Sequence, residues 1–288
     1  EQAATAPGHQ AVGGEGVGAV GEVEGDMAKG VAGDVDDLGG FGADLHGVAF
    51  GQGAGQGGQA VGVGLCAKDL RDAGFQQVVL ATGVTPRTPE IEGIHHPKVV
   101  GYLDVLRNKC TVGPTVALIG AGGIGFDVAE FLLAEGTSPS LDKAKFFAEW
   151  GVDRTYSQRG GLTPAHLEKS PRKIYLLQRK SSKVGDGLGK TTGWIHRTSL
   201  KNRDVEMVNN VSYRKVDDAG LHITVGDKDM TLPVDTIVVC AGQEPRRELQ
   251  APLQAAGIPF TLIGGADVAA ELDAKRAIDQ GTRLAASL

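Results

Sequence analysis

The apolar positions of this 288-residue chain change character near residue 66. Upstream of it neither a helical period nor an alternation persists, because a glycine about every third residue removes core volume and helix propensity together. Downstream, short apolar runs exchange with polar stretches of helical period, as expected where strands alternate with helices. Phe75–Leu80 predicts a buried strand ending in Ala81–Arg87 (ATGVTPR), whose prolines at 86 and 89 force an extended exit. Residues 88–112 read as a connection with one short helix over Tyr102–Arg107. Val116–Ile119 predicts a strand and Asp127–Leu133 a helix. The polar stretch 136–170 carries one helix, Leu141–Trp150, started by Ser140 and stopped by Gly151.

Lys173–Leu177 predicts a second parallel strand, and the Gly-rich loop 185–197 leads into a helix that ends near Lys201. Val211–Val225 gives two strands around the turn Asp217–Gly220, Met230–Val234 a third, and Asp235–Cys240 a final apolar strand. Residues 262–269 read as strand and turn, and Ala270–Ala285 as a helix with Glu271 and Asp273 in its first turn. This order predicts an α/β fold with a parallel sheet and a three-strand meander.

Composition sharpens the break at residue 66. Residues 1–64 hold 20 of the 44 glycines, and residues 1–67 carry nine acidic side chains against one basic residue, Lys29. The net charge of −6 therefore comes from the N-terminal segment, the remainder being close to neutral. Disorder is expected for residues 1–66, and the mixture is what GC-rich DNA gives when read in another frame. No basic run interleaved with aromatics suggests nucleic acid. Cys66, Cys110 and Cys240 lie far apart with no C-x-x-C, which excludes a sequence-local zinc or iron–sulfur site and fits a reducing cytosol. With no long apolar run and no signal-peptide pattern, the expectation is a soluble, cytoplasmic protein.

The candidate chemistry centres on residues 115–130, TVALIGAGGIGFDVAE. Gly120, Gly122 and Gly125 form G-x-G-x-x-G between a strand and a helix. The first glycine allows the sharp reversal, the second lets a pyrophosphate approach the backbone, and the third brings helix and strand together. Gly120, Gly122, Gly123 and Gly125 are thus candidate cofactor-binding positions, with the helix N-terminus favouring phosphate charge. A Gly-rich turn with no ligand is the competing reading.

The end of the second strand bears on which nicotinamide cofactor is bound. An NAD enzyme places a carboxylate there for the ribose hydroxyls, whereas NADP calls for cations. The chain has Gln178, Arg179 and Lys180 with Lys183 close behind, which points to NADPH; surface cations after a strand are the alternative. ATGVTPR (81–87) and CAGQEPR (240–246) share a pattern of small, small, Gly, two variable, Pro, Arg. The pair suggests a chain that crosses between two nucleotide domains and returns, making Ala81, Thr82, Gly83 and Gly242 further candidates. Asp267, after Gly264 and Gly265, could hold a flavin ribityl or ribose hydroxyl, or simply cap a helix. His95 and His96 read as exposed loop residues, His196 as a structural hydrogen-bonding residue and Cys240 as core. No catalytic triad and no metal-ligand spacing is present.

With these residues in hand, the chain from about 69 to 288 resembles the C-terminal part of the bacterial NADPH-dependent 2,4-dienoyl-CoA reductases. VVLATGVTPRTPEIEGI, VALIGAGGIGFDVAEFL, IYLLQRK, GLGKTTGWIHR, VVCAGQEPRREL and LIGGADVAAELDAKRAI follow one another as in that family. The resemblance implies an enzyme with FMN, a 4Fe–4S cluster and FAD. In it NADPH gives hydride to FAD, electrons pass through the cluster to FMN, and FMN reduces the conjugated double bonds of a fatty acyl-CoA. The family's FMN barrel, cysteine cluster and glycine turn for FAD should lie upstream of residue 69, and none is recognisable in the Gly-rich acidic segment. The expected organisation is therefore a low-complexity segment (1–66), part of an FAD-binding domain with its linker (69–112), an NADPH-binding domain (113–240) and a return to the FAD-binding domain (241–288). Such a fragment should retain NADPH binding but not dienoyl-CoA reduction by itself. Two rivals are a small stand-alone flavin reductase, against which the missing C-x-x-C and glycine turn argue, and a non-catalytic NADPH-binding module.

Overall fold

The computed structural model describes residues 66–134, 136–270 and 274–288. They belong to one compact unit, Leu45–Leu288; a second unit, Glu1–Asp44, and the expectation of disorder over 1–66 fall, except for Cys66, outside the described residues.

A five-stranded, fully parallel sheet organises the unit. It comprises β3 (Val99–Gly101), β4 (Thr115–Ile119), β5 (Lys173–Leu177), β6 (Glu206–Val208) and β10 (Thr236–Val239), in the order β3-β10-β4-β5-β6. β4 and β5 read as unbroken apolar runs because both faces of the sheet are covered. The two-residue period persists inside those runs. Val116, Leu118, Ile174 and Leu176 pack toward helices α2 (Tyr102–Leu106), α3 (Gly123–Leu133) and α5 (Gly193–Asn202), while Ala117, Ile119, Tyr175 and Leu177 join the opposite core. That opposite core is closed by an antiparallel meander, β7 (Val211–Asp217), β8 (Gly220–Val225) and β9 (Lys228–Leu232). Leu221, Ile223 and Leu232 supply its inner face.

A smaller third core lies outside this sheet. Helix α1 (Ala67–Asp72) and helix α6 (Gln250–Ala255) place Leu70 and Leu253 against β1 (Val78–Leu80), which pairs in parallel with β12 (Phe260–Leu262). Two crossing segments join this region to the main sheet: β2 (Val84–Pro86) and β11 (Gln243–Pro245), paired antiparallel. The pairing is reciprocal at its ends, the Arg87 amide donating to the Gly242 carbonyl at 3.1 Å and the Arg246 amide to the Gly83 carbonyl at 3.0 Å. The resemblance between ATGVTPR and CAGQEPR thus reflects two segments that hydrogen-bond to each other.

Several boundaries differ from the sequence reading. The first strand covers Val78–Leu80 alone. β3 and β6, each of three residues, carried no periodic signal and were missed inside connections. α3 begins at Gly123, four residues before Asp127, because the low helix propensity of the glycines is overridden by packing of Phe126 and Val128 into the core. α4 (Lys143–Trp150) is capped by Asp142, whose carboxylate accepts from the amides of Ala144 and Lys145; Ser140 belongs to a preceding single turn, Pro139–Leu141. Gly151 does end α4, in the left-handed conformation. The third meander strand starts and ends two residues earlier than Met230–Val234, and the final parallel strand is Thr236–Val239 within the expected 235–240. Near the C-terminus the strand is Phe260–Leu262, and residues 264–266 form a single 3-10 turn. Helix α7 (Ala274–Ser287) leaves Ala270 outside it; Glu271 and Asp273 lie outside the described residues.

The insert between β4–α3 and β5 packs back onto the helical face. Glu149 of α4 pairs with Arg203 at the end of α5, both largely buried, and Lys145 pairs with Glu168 at 2.9 Å. The long sequence separation between the glycine motif and Gln178 is therefore taken up beside the sheet and leaves the adjacency of β4 and β5 intact.

Candidate nucleotide cleft

The carboxyl ends of β4, β5 and β10 open into one cleft of about 540 Å3. This is the edge of a parallel sheet where α/β proteins place ligands. Its floor is made by the glycine turn, and the three glycines of the motif have three different surroundings. Gly120 has φ +110°, and a side chain on it would meet the Cys240 carbonyl oxygen at 2.4 Å. Gly125 sits under the turn, where a Cβ would fall 2.0 Å from the Gly120 carbonyl oxygen. Gly122, like Gly123, has nothing within 4 Å of its Cβ position, which faces open space. The first and third glycines are therefore required by the fold, while Gly122 and Gly123 leave open space in a cleft that Gly120 also lines.

Gly122 is also the N-cap of α3 and brings no side chain to the task. The first helical amide with an internal acceptor is that of Phe126, on the Gly122 carbonyl at 3.1 Å. The amides before it point out of the helix start with its positive dipole end, and no acidic residue occupies the first turn. An anion of phosphate size suits this corner.

Gln178, Arg179 and Lys180 line the same cleft as Gly120, Gly122 and Gly123. Their backbone is fixed from outside. Gln178 Nε2 donates to the carbonyls of Lys180 at 3.1 Å and Ser182 at 2.8 Å, and Asn209 Nδ2 donates to the Ser181 carbonyl at 2.8 Å. Gln178 thus shapes the loop. Arg179 and Lys180 are exposed, and among the described residues their side chains have no hydrogen-bond or ion-pair partner. Lys183 is exposed and does not line the cleft; Ser182 does.

On the other side the cleft is bounded by Ala241, Gly242 and Gln243, and by Arg87 reaching over from the first crossing segment. Arg87 Nε and Nη2 both donate to the Ala241 carbonyl, at 3.0 and 2.5 Å. Tyr213 of β7 forms part of the wall, its hydroxyl donating to the Leu177 carbonyl at 3.2 Å, and burial pushes its phenol well above the ordinary range. Cys240 is buried, and burial pushes its thiol up to about 12. One sequence offers no signal for Tyr213. Arg87 was visible only as the last residue of the paired motif.

The remaining candidates lie elsewhere. Ala81, Thr82 and Gly83 do not line the cleft; the Thr82 hydroxyl donates to the Arg246 carbonyl at 2.5 Å, so it holds the crossing together. The Asp267 carboxylate accepts from Gln280 Nε2 at 2.8 Å, and Asp267 ends the 3-10 turn instead of capping α7. His196 Nδ1 lies 3.0 Å from Glu130 Oε1, His95 is exposed, and His96 contacts Asp218 at 3.2 Å. Among the described residues no group of three or more metal-ligating side chains occurs, and no helix is long and apolar enough to cross a membrane.

Comparison with known proteins bears on the family and the fold. The chain is 26% identical to a metal reductase of Desulforamulus reducens over 197 residues, 68% of this chain and 28% of the relative. It is 37% identical to a cinnamate reductase of Clostridium sporogenes over 74 residues, 26% of this chain and 11% of the relative. Among solved structures, 2-naphthoyl-CoA reductase has the same fold (TM-score 0.58, 21% identity, 78% of this chain, 28% of the other), as does histamine dehydrogenase from Rhizobium sp. 4-9 (TM-score 0.56, 16% identity, 78% of this chain, 32% of the other). The chain thus spans under a third of the length of these proteins. The family pattern of the pyridine nucleotide-disulphide oxidoreductases matches residues 45–276, and the chain belongs to that family.

Proposed function

We propose that this chain is the NADPH-binding part, with flanking pieces of an FAD-binding domain, of a longer reductase of the 2,4-dienoyl-CoA reductase kind. The observation that carries the reading is the meeting in one cleft of the open amides at Gly122 and Gly123 with the unpaired cations Arg179 and Lys180. The family implies FAD and NAD(P)H as cofactors. The cleft residues fit the second. Gly122, Gly123 and the start of α3 would take the pyrophosphate, and Arg179 and Lys180 the 2′-phosphate. When bound, the reduced nicotinamide supplies a hydride. The part of this chain is to hold and orient the dinucleotide across the ends of β5, β4 and β10, with Arg87 fixing the Ala241 carbonyl at the side nearer the crossing segments.

For FAD the support is thinner: the Thr82 hydroxyl donates to the Arg246 carbonyl, and the Asp267 carboxylate accepts one bond from Gln280, with its other oxygen left to accept. This favours the isolated chain acting as an NADPH-binding module that purifies colourless, with FAD, FMN and the 4Fe–4S cluster belonging to the longer enzyme. The substrate class rests on the sequence resemblance and on the named cinnamate reductase, whose substrate also has a carbon–carbon double bond conjugated to a carboxyl carbon.

Gly122→Val tests the site. Its Cβ position is open and its φ of −83° suits any residue, so the variant should keep the wild-type melting temperature while filling the space beside the helix start. NADPH fluorescence titration is expected to show at least a tenfold loss of affinity, about 1.4 kcal/mol. Unchanged affinity would place the dinucleotide elsewhere.

A further inference from the structure

The turn after β5 brings a carboxylate into a cleft otherwise furnished for anions. Asp186 and Gly187 line the same space as Gly122, Gly123, Arg179 and Lys180. The backbone that carries Asp186 is held on several sides. Arg197 Nη1 donates to the Gly185 carbonyl at 2.8 Å, and the Asp186 amide donates to the Lys183 carbonyl at 3.0 Å. Gly185 itself rests on the Phe126 ring of α3, so closely that a Cβ would lie 2.7 Å from it. Gln178 and Asn209 hold the loop of Arg179 and Lys180, which also lines the cleft. Charges of both signs are thus mounted on fixed backbone facing one space. Among the described residues the Asp186 carboxylate has no hydrogen-bond or ion-pair partner.

An ionised carboxylate accepts hydrogen bonds and donates none. The adenosine of NADH offers two ribose hydroxyls as donors, while that of NADPH replaces one of them with a phosphate of like charge to Asp186. Arg179 and Lys180 favour the phosphate, and Asp186 favours the hydroxyls. We propose that Asp186 is a specificity-determining residue of this cleft, accepting from the adenosine ribose and opposing the 2′-phosphate, so that the chain takes NADH as well as NADPH. The inference rests on the cleft being a nicotinamide dinucleotide site.

The test is fluorescence titration of the whole 288-residue chain with NADPH and with NADH, for the wild type, Asp186→Asn and Arg179→Ala. The wild type should bind both. Asp186→Asn should tighten NADPH and weaken NADH by roughly threefold each, moving their ratio by about tenfold, the effect of one solvent-exposed charge. The melting temperature should not move, since the side chain has no protein partner. Arg179→Ala should shift the ratio the opposite way. If Asp186→Asn leaves the ratio unchanged while Arg179→Ala lowers NADPH affinity, the cleft stands and the role of Asp186 is lost. A wild type that binds NADPH but not NADH also overturns the role of Asp186, and one that binds neither overturns the cleft and the inference together.

Discussion

The glycine motif shows how little a residue type says without its neighbours. Gly125→Ala puts a Cβ where the Gly120 carbonyl oxygen stands 2.0 Å away, so helix and strand must separate. Overpacking of this kind costs about 1–3 kcal/mol, and chemical denaturation should show the loss whether or not NADPH is present. Gly122, three residues away, should tolerate a side chain and lose only ligand. Arg179→Ala should cost on the order of 1.5–3 kcal/mol of NADPH binding, the range for a hydrogen bond to a charged group, and little NADH binding. Equal losses of both would remove the 2′-phosphate from Arg179. At this scale the sequence was informative where chemistry is local. Gly120, Gly122, Gly123, Arg179 and Lys180 were found from pattern alone and do share a cleft. Gln178 was also found, but as a loop anchor it has a different part. Lys183 lies outside the cleft lining while Ser182 is in it, because the chain bends over 179–182 and a list of cations does not reveal a bend.

Among the elements, those with both faces covered were the most legible. Lys173–Leu177 was read to the residue because a continuous apolar run between charged ends leaves no other register. The edge strands Val99–Gly101 and Glu206–Val208 were missed because three half-exposed residues generate no period, and only pairing with β10 and β5 makes them strands. Helix α4 was started at the wrong cap, since Ser138, Ser140 and Asp142 are all acceptable N-caps and only the turn at Pro139 separates them. Asp142→Ala should therefore destabilise by about 1 kcal/mol, whereas Ser140→Ala should have a smaller effect. A comparison of urea midpoints for the two variants checks the assignment, and a larger loss for Ser140 would reverse it.

For the whole molecule, the two similar motifs at 81–87 and 240–246 foretold that the chain leaves one region, enters another and comes back, and the structure adds that the outward and return segments pair. What one sequence could not tell is that the Thr82 hydroxyl donates to the Arg246 carbonyl and that Gln280 donates to one oxygen of Asp267. Burial of the two ionisable groups that share the cleft wall sets a pH limit. The Cys240 thiol, ordinarily near 9.0, is pushed up to about 12, and the Tyr213 phenol is raised above its ordinary 10.0. The folded chain thus holds protons that the unfolded chain releases. The contribution of these two groups to stability should be level below pH 9 and be lost as pH rises from about 9 toward 12. Cys240→Ala should remove the part of that decline that begins near pH 9; a thermal melting series in which the variant and wild type decline in parallel would show that the thiol does not contribute.

In the proposed function, the adenosine end of a 2′-phosphorylated dinucleotide is gripped by Arg179 and Lys180 beside the glycine turn. Calorimetric titration of the chain with 2′,5′-ADP and with 5′-AMP isolates that end from the rest of the cofactor. 2′,5′-ADP should bind at least tenfold tighter than 5′-AMP, about 1.4 kcal/mol, and Arg179→Ala with Lys180→Ala should abolish the difference. Equal affinity for the two nucleotides in the wild type, or a preference that survives the double substitution, would contradict it.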